Sequence, residues 1–133
     1  MNGLQTNMKT IFILEDDTDI REMVEYLLKG QYKVQGFASF ASFKKGMQEM
    51  NRPDLVVLDI MLPDGNGIDI CKELKADPQT GHIPVVLMSA NINSRQQIGD
   101  IPAQDFISKP FDIDDFVHRI QKQVAPGPGL SAS

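Results

Sequence analysis

The stretch LVVLDIMLPDGNG, residues 55–67, decides the architecture. Leu55 to Ile60 form an apolar run broken only by Asp59. A continuous run, unlike an alternating one, suits a strand covered on both faces. Pro63-Asp64-Gly65 is a turn signature, and Asn66 is suited to cap a helix beginning just after it. Ile68, Cys71, Leu74 and Lys75 then recur at helical spacing. A buried strand, a turn and an amphipathic helix in immediate succession make one unit of an α/β fold.

The same unit repeats on either side. Ile11–Leu14, Val85–Met88 and Phe106–Ile107 are further continuous apolar runs, and Tyr32–Ala38 mixes polar and apolar residues as an edge strand does. Ile20, Met23, Val24, Leu27 and Leu28 make a helical stripe, with Asp19 and Glu22 placed to cap its start and Gly30 its end. Phe40, Phe43, Met47 and Met50 make a second stripe; Ile113, Phe116, Val117, Ile120 and Val124 make the last. Asn91–Gln104 is the poorest helix candidate, because it holds Gly99 and Pro102 and few apolar residues. Strands are expected to begin near residues 10, 32, 54, 84 and 105. Five alternations of strand and helix predict a parallel sheet with helices on both faces and right-handed crossovers.

Composition narrows the function. A chain of 133 residues is one domain's length and can bury a core without disulfides. Thirteen basic residues against eighteen acidic give a net charge of −5, which argues against direct nucleic-acid binding. The single cysteine, Cys71, excludes an internal disulfide and fits a reducing compartment. No apolar run is long enough to span a bilayer, and no signal-peptide core is evident. A cytoplasmic protein is the expectation.

In an open α/β sheet, ligands bind beyond the carboxyl ends of the strands. The first strand ends in Glu15-Asp16-Asp17, the third runs into Asp59, the fourth ends in Ser89 and the fifth in Lys109-Pro110. If the sheet is parallel, these groups meet on one rim. Clustered carboxylates repel, and a hard cation such as Mg²⁺ relieves them. Carboxylate, Mg²⁺, lysine and hydroxyl together describe a phosphoryl site with a carboxylate available as nucleophile. The sequence contains no GxxxxGK[ST] loop, so a nucleotide is not the expected donor.

ILEDDTDIRE (13–22), VVLDIMLPDGNG (56–67), VVLMSA (85–90) and FISKPF (106–111), in this order, resemble the receiver domain of two-component response regulators. The resemblance covers roughly residues 9–124. It implies a flavodoxin-like (βα)5 fold with strand order 2-1-3-4-5. Residues 1–8 then form an N-terminal extension, and the Pro/Gly/Ser-rich 125–133 a disordered tail or linker stub. By position the resemblance makes Asp59 the phosphoacceptor, with Glu15, Asp16, Asp59 and the backbone carbonyl of Met61 holding Mg²⁺. Asp17, by the same alignment to Arg21, is not a ligand. Ser89 and Lys109 match the residues that contact the phosphoryl oxygens, and Ser89 and Phe106 the switch pair. The Lys109–Pro110 bond is expected to be cis.

The implied partner is a histidine kinase or phosphotransfer protein, with an unknown protein target, no nucleic acid and no membrane. The chain would accept phosphate and lose it slowly by hydrolysis, which is self-modification and not enzyme turnover. The rivals are a Mg²⁺-dependent aspartyl-phosphate phosphohydrolase and a pseudo-receiver that takes no phosphate. This sequence departs from the family pattern between Ser89 and Lys109, which is about two residues short and lacks the Gly-Ala before Asp105. A short, shifted or loose fourth helix is expected there. Elsewhere the plainer readings hold. Cys71 is an inert buried thiol, and His82, His118 and Lys44-Lys45 are surface residues. Asp112–Asp115 begin a helix, and Phe106 on residues alone is core.

Overall fold

The computed structural model describes residues 8–49, 52–90 and 100–124. The strands are β1 (Thr10–Leu14), β2 (Lys33–Phe37), β3 (Leu55–Asp59), β4 (Met61–Leu62), β5 (Gly65–Asn66), β6 (Val85–Ser89) and β7 (Asp105–Ser108). The helices are α1 (Thr18–Leu28), α2 (Phe40–Glu49), α3 (Gly67–Ala76) and α4 (Ile113–Gln123). β2, β1, β3, β6 and β7 form one sheet in that order, and every pair in it is parallel. Numbered among themselves, the five sheet strands run 2-1-3-4-5, as expected. β4 and β5 make a separate antiparallel hairpin around Pro63-Asp64.

The continuous apolar runs are explained by two cores, one on each face. Phe12, Leu14, Val56, Leu58, Val85 and Leu87 point to one side, where Phe43 of α2 and Ile70, Cys71 and Leu74 of α3 cover them. Ile11, Ile13, Leu55, Val57, Val86, Met88 and Ile107 point to the other, under Val24 and Leu28 of α1 and Phe116 and Ile120 of α4. Successive strand residues alternate faces, so a strand covered twice has no polar face left. β2, at the edge, keeps Lys33 and Gln35 exposed. Phe12, Phe37 and Phe43 meet edge-to-face at 5.1–6.3 Å between ring centres.

Several local expectations are corrected. α1 is capped by Asp17, whose Oδ1 accepts from the Ile20 amide at 3.1 Å, and not by Asp19. β1 ends early enough that the chain turns at Asp16-Asp17, which puts Asp19 inside the first helical turn. Gly30 does not close α1 in a left-handed conformation: no described glycine has positive φ, and Tyr32 N–H donates to Leu28 O at 3.0 Å instead. Ile113 is 49% exposed, so the last stripe begins at Phe116. Lys75 is half-buried because its ammonium donates to Ile83 O at 2.6 Å, a contact outside the helix. Asn66 caps α3 and Asp112 caps α4. The Lys109–Pro110 bond is cis. Most of the expected fourth-helix segment, Met50, the first seven residues and the 125–133 tail lie outside the described residues. No described helix is long and apolar enough to cross a membrane.

Candidate functional site

Parallel strands deliver their carboxyl ends to one rim. Leu14 hands over to Glu15, β3 stops on Asp59, β6 stops on Ser89, and β7 is followed by Lys109. Asp59 pairs with Met88, and Met88 with Ile107. Ser89 is therefore one residue further along the adjacent strand, and Lys109 two further along the next. The Lys109 amide donates to Ser89 O at 2.9 Å, which ties these two ends together.

The side chains meet as the strand directions require. Carboxylate oxygens of Glu15, Asp16 and Asp59 all lie within 4.8 Å of one another. The Lys109 ammonium stands 2.5 Å from Glu15 Oε1 and 3.3 Å from Asp59 Oδ2. Glu15 and Asp59 are buried, whereas Asp16 is exposed, so the cluster opens to solvent on one side. Glu15 is held at four points. Its amide donates to Phe37 O at 3.0 Å, and its carbonyl accepts from Arg21 Nη1 at 2.8 Å. Its Oε2 accepts from the Asp17 amide at 3.1 Å, and its Oε1 from Lys109. Asp59 Oδ1 accepts from the Met61 amide at 3.3 Å.

The charges are strongly perturbed. Burial pushes the Glu15 carboxyl up to about 7; Lys109 and the Asp17 amide oppose this, and nearby Asp59 reinforces it. Burial alone would lower the Lys109 pKa, but Glu15 and Asp59 outweigh it and hold the ammonium above its ordinary value. The pocket thus carries an excess of negative charge that one lysine does not satisfy. Three carboxylate oxygens within 4.8 Å of one another are near enough to share one octahedral cation, whose ligands at bonds of about 2.1 Å stand roughly 3 Å apart when adjacent and roughly 4 Å when opposite. An all-oxygen, anionic donor set fits a small hard divalent ion and is poor for metals that prefer sulfur or nitrogen.

A model of the response regulator receiver domain matches residues 11–121. The chain belongs to that family. It is 33% identical over 128 residues to the DNA-binding response regulator MtrA of Mycobacterium tuberculosis, spanning 91% of this chain and 53% of that protein. It is 34% identical over 119 residues to the phosphate regulon transcriptional regulatory protein PhoB of Escherichia coli, spanning 85% of this chain and 50% of that protein. A crystal structure of a putative response regulator from Chloroflexus aurantiacus superposes with a TM-score of 0.82 at 28% identity, covering 90% of this chain and all of the other. The chain thus spans about half the length of the curated relatives it matches.

Of the receiver positions named from sequence, Glu15, Asp16, Asp59 and Lys109 come together. Ser89 is buried at the end of the neighbouring strand, and Met61 lies two residues beyond Asp59 with its side chain 72% exposed. Phe106 is half-buried and packs with the α2–α3 core, so it belongs to that face and not to the carboxylate cluster. Asp17 stays outside the cluster as the cap of α1. Sequence reasoning missed the contacts that three residues make. Arg21 grips the Glu15 carbonyl. Gly67 lies so close to the Asp59 backbone that a Cβ there would stand 2.3 Å from Asp59 O. Asp64 caps α2 from the hairpin, accepting from the Phe40 and Ala41 amides at 2.9 and 3.1 Å. The sequence offered only the interval from Glu15 to Arg21 and the turn signature at Asp64, neither of which marks these contacts.

Proposed function

We propose that this receiver domain, over residues 9–124, works in the cytoplasm and accepts a phosphoryl group on Asp59 from a histidine kinase or phosphotransfer protein. The observation that carries this reading is the meeting of the Glu15, Asp16 and Asp59 carboxylates with the Lys109 ammonium on one rim. Glu15, Asp16, Asp59 and the Met61 carbonyl would hold Mg²⁺. When bound, the ion supplies positive charge to the phosphoryl oxygens and offsets repulsion among the carboxylates.

Asp59 then attacks phosphorus in line. A bond forms from its carboxylate oxygen to phosphorus as the phosphohistidine P–N bond breaks, and the electron pair leaves with the imidazole. Lys109 neutralises the phosphoryl oxygens, and the Ser89 hydroxyl donates to one of them. The chain's own residues thus supply the nucleophile and most of the electrostatic stabilisation. The new charge draws Ser89 toward the phosphate and lets the Phe106 ring move inward, which biases an existing two-state equilibrium. Water later attacks the acyl phosphate, releasing inorganic phosphate and restoring Asp59. The readout is a changed set of protein contacts.

A phosphohydrolase of the haloacid-dehalogenase type places its nucleophile on the first strand in a DxD pattern. Here β1 leads into adjacent acids, and the candidate nucleophile ends β3. The test is thermal unfolding with Mg²⁺ and beryllofluoride, a phosphoryl mimic. The pair together is expected to raise the Tm well beyond Mg²⁺ alone, and Asp59→Asn to abolish that gain. An identical gain in the variant overturns the assignment, and no gain in the wild type favours a module that takes no phosphate.

A further inference from the structure

We infer that Arg21 is a positioning residue for the cation site. It fixes the metal-binding turn by hydrogen-bonding the main-chain carbonyl of Glu15. This rests on the proposal that Glu15, Asp16 and Asp59 hold a divalent cation.

The geometry isolates the role. Arg21 lies one turn into α1, yet its guanidinium reaches back to Glu15 O at 2.8 Å instead of pairing with a carboxylate of the cluster. Its own amide donates to Asp17 O at 2.9 Å, as the first turn of α1 requires. The same residue therefore holds the turn from both sides. On the far side the Glu15 amide is fixed to Phe37 O of β2 at 3.0 Å. With both peptide groups of Glu15 secured, Glu15 and Asp16 leave the end of β1 in one direction only. The peptide after Glu15 is also the backbone of Asp16, the exposed member of the cluster. The Arg21 stem also lies against β2: a Cβ on Gly36 would stand 3.1 Å from its Cδ. The side chain thus bridges α1, the acidic turn and the sheet edge.

An arginine beside an anionic metal site could act in two opposite ways. As a bare positive charge it would repel a divalent cation, so its removal would tighten binding. As a donor that orders the turn it would favour the cation, so its removal would weaken binding. The guanidinium bonds the neutral carbonyl and not a carboxylate, which favours the second. Residues that orient metal ligands without touching the metal typically contribute roughly 10–100-fold in affinity.

The test is Mg²⁺ titration of the full chain by calorimetry for wild type, Arg21→Met, Arg21→Lys and Arg21→Gln, with urea unfolding in chelator for each. The expected result is Mg²⁺ binding weakened about tenfold in Arg21→Met. Arg21→Gln, which keeps a donor without the charge, should recover part of the loss. Stability in chelator is expected not to follow that order. Equal or tighter Mg²⁺ binding in Arg21→Met, with the wild type binding normally, overturns the inference and leaves the cation site standing. A loss of Mg²⁺ binding that simply tracks loss of stability across the three variants also overturns it. No Mg²⁺ binding by the wild type overturns the underlying cation proposal itself.

Discussion

Replacing Gly67 with alanine tests how tightly α3 is seated against the end of β3. A Cβ at Gly67 would stand 2.3 Å from Asp59 O, 2.9 Å from Asp59 C and 2.9 Å from Ile60 Cα. All three are main-chain atoms, so no side chain can swing away. The contact must open by about 1 Å to reach ordinary van der Waals distance. That motion strains the Gly67 N–H to Ile60 O bond, now 2.8 Å, and the Asn66 cap, whose Oδ1 accepts from Ile68 N at 2.7 Å. Overpacking of this kind costs about 1–3 kcal/mol. Alanine recovers up to roughly 1 kcal/mol through helix propensity and a less flexible unfolded chain. Because every clashing atom is main chain, the cost falls in the upper part of that range, about 2–3 kcal/mol, so the net loss is about 1–2 kcal/mol, or a fall in Tm of roughly 4–10 °C for a domain of this size. The assay is urea and thermal unfolding followed by far-ultraviolet circular dichroism. Gly30→Ala is the control, since a Cβ there meets nothing within 4 Å and the backbone is not left-handed. That variant should be neutral or stabilised by up to about 1 kcal/mol. Gly67→Ala at wild-type stability, or Gly30→Ala the less stable of the two, would refute the reasoning.

Glu15 sets a pH dependence. Its carboxyl rises from an ordinary 4.5 to about 7 on folding, so between those values the folded chain binds more protons than the unfolded one. Stability in chelator should therefore fall from pH 5 to 8, and Mg²⁺ should stabilise more at pH 8 than at pH 6; a flat or rising profile contradicts this. Asp64, held below its ordinary value by the Phe40 and Ala41 amides, works in the opposite sense but at lower pH, outside that window. Lys75→Met leaves the Ile83 carbonyl without its 2.6 Å partner and should cost about 1–2 kcal/mol in urea unfolding. Cys71 is buried with its thiol pKa raised by that burial, so a disulfide reagent should label it at the rate of protein opening, faster in urea and slow without it.

The fold was legible because each element declares itself locally. The runs Ile11–Leu14, Leu55–Leu58 and Val85–Met88 admit little but doubly covered strands, and both cores confirm it. The edge strand β2 was fainter because only part of it is buried, and Lys33 and Gln35 face solvent. The gathering of Glu15, Asp59 and Lys109 followed from strand direction alone. The supporting contacts were not visible. Asp64 caps a helix 24 residues upstream, and no local signal marks such a pairing. Gly67 is required by a close approach of two backbones, which a glycine in the sequence cannot distinguish from an ordinary turn. Asp17 rather than Asp19 caps α1 because the end of β1 sets the phase, and either residue suits a cap on composition alone.

The decisive measurement is the intact mass of the chain after incubation with Mg²⁺ and acetyl phosphate. One added phosphoryl group is expected, absent in Asp59→Asn, absent in chelator and removed by hydroxylamine, as an acyl phosphate must be. The same mass gain in Asp59→Asn, or a gain that survives hydroxylamine, would contradict phosphorylation at the carboxylate that ends β3.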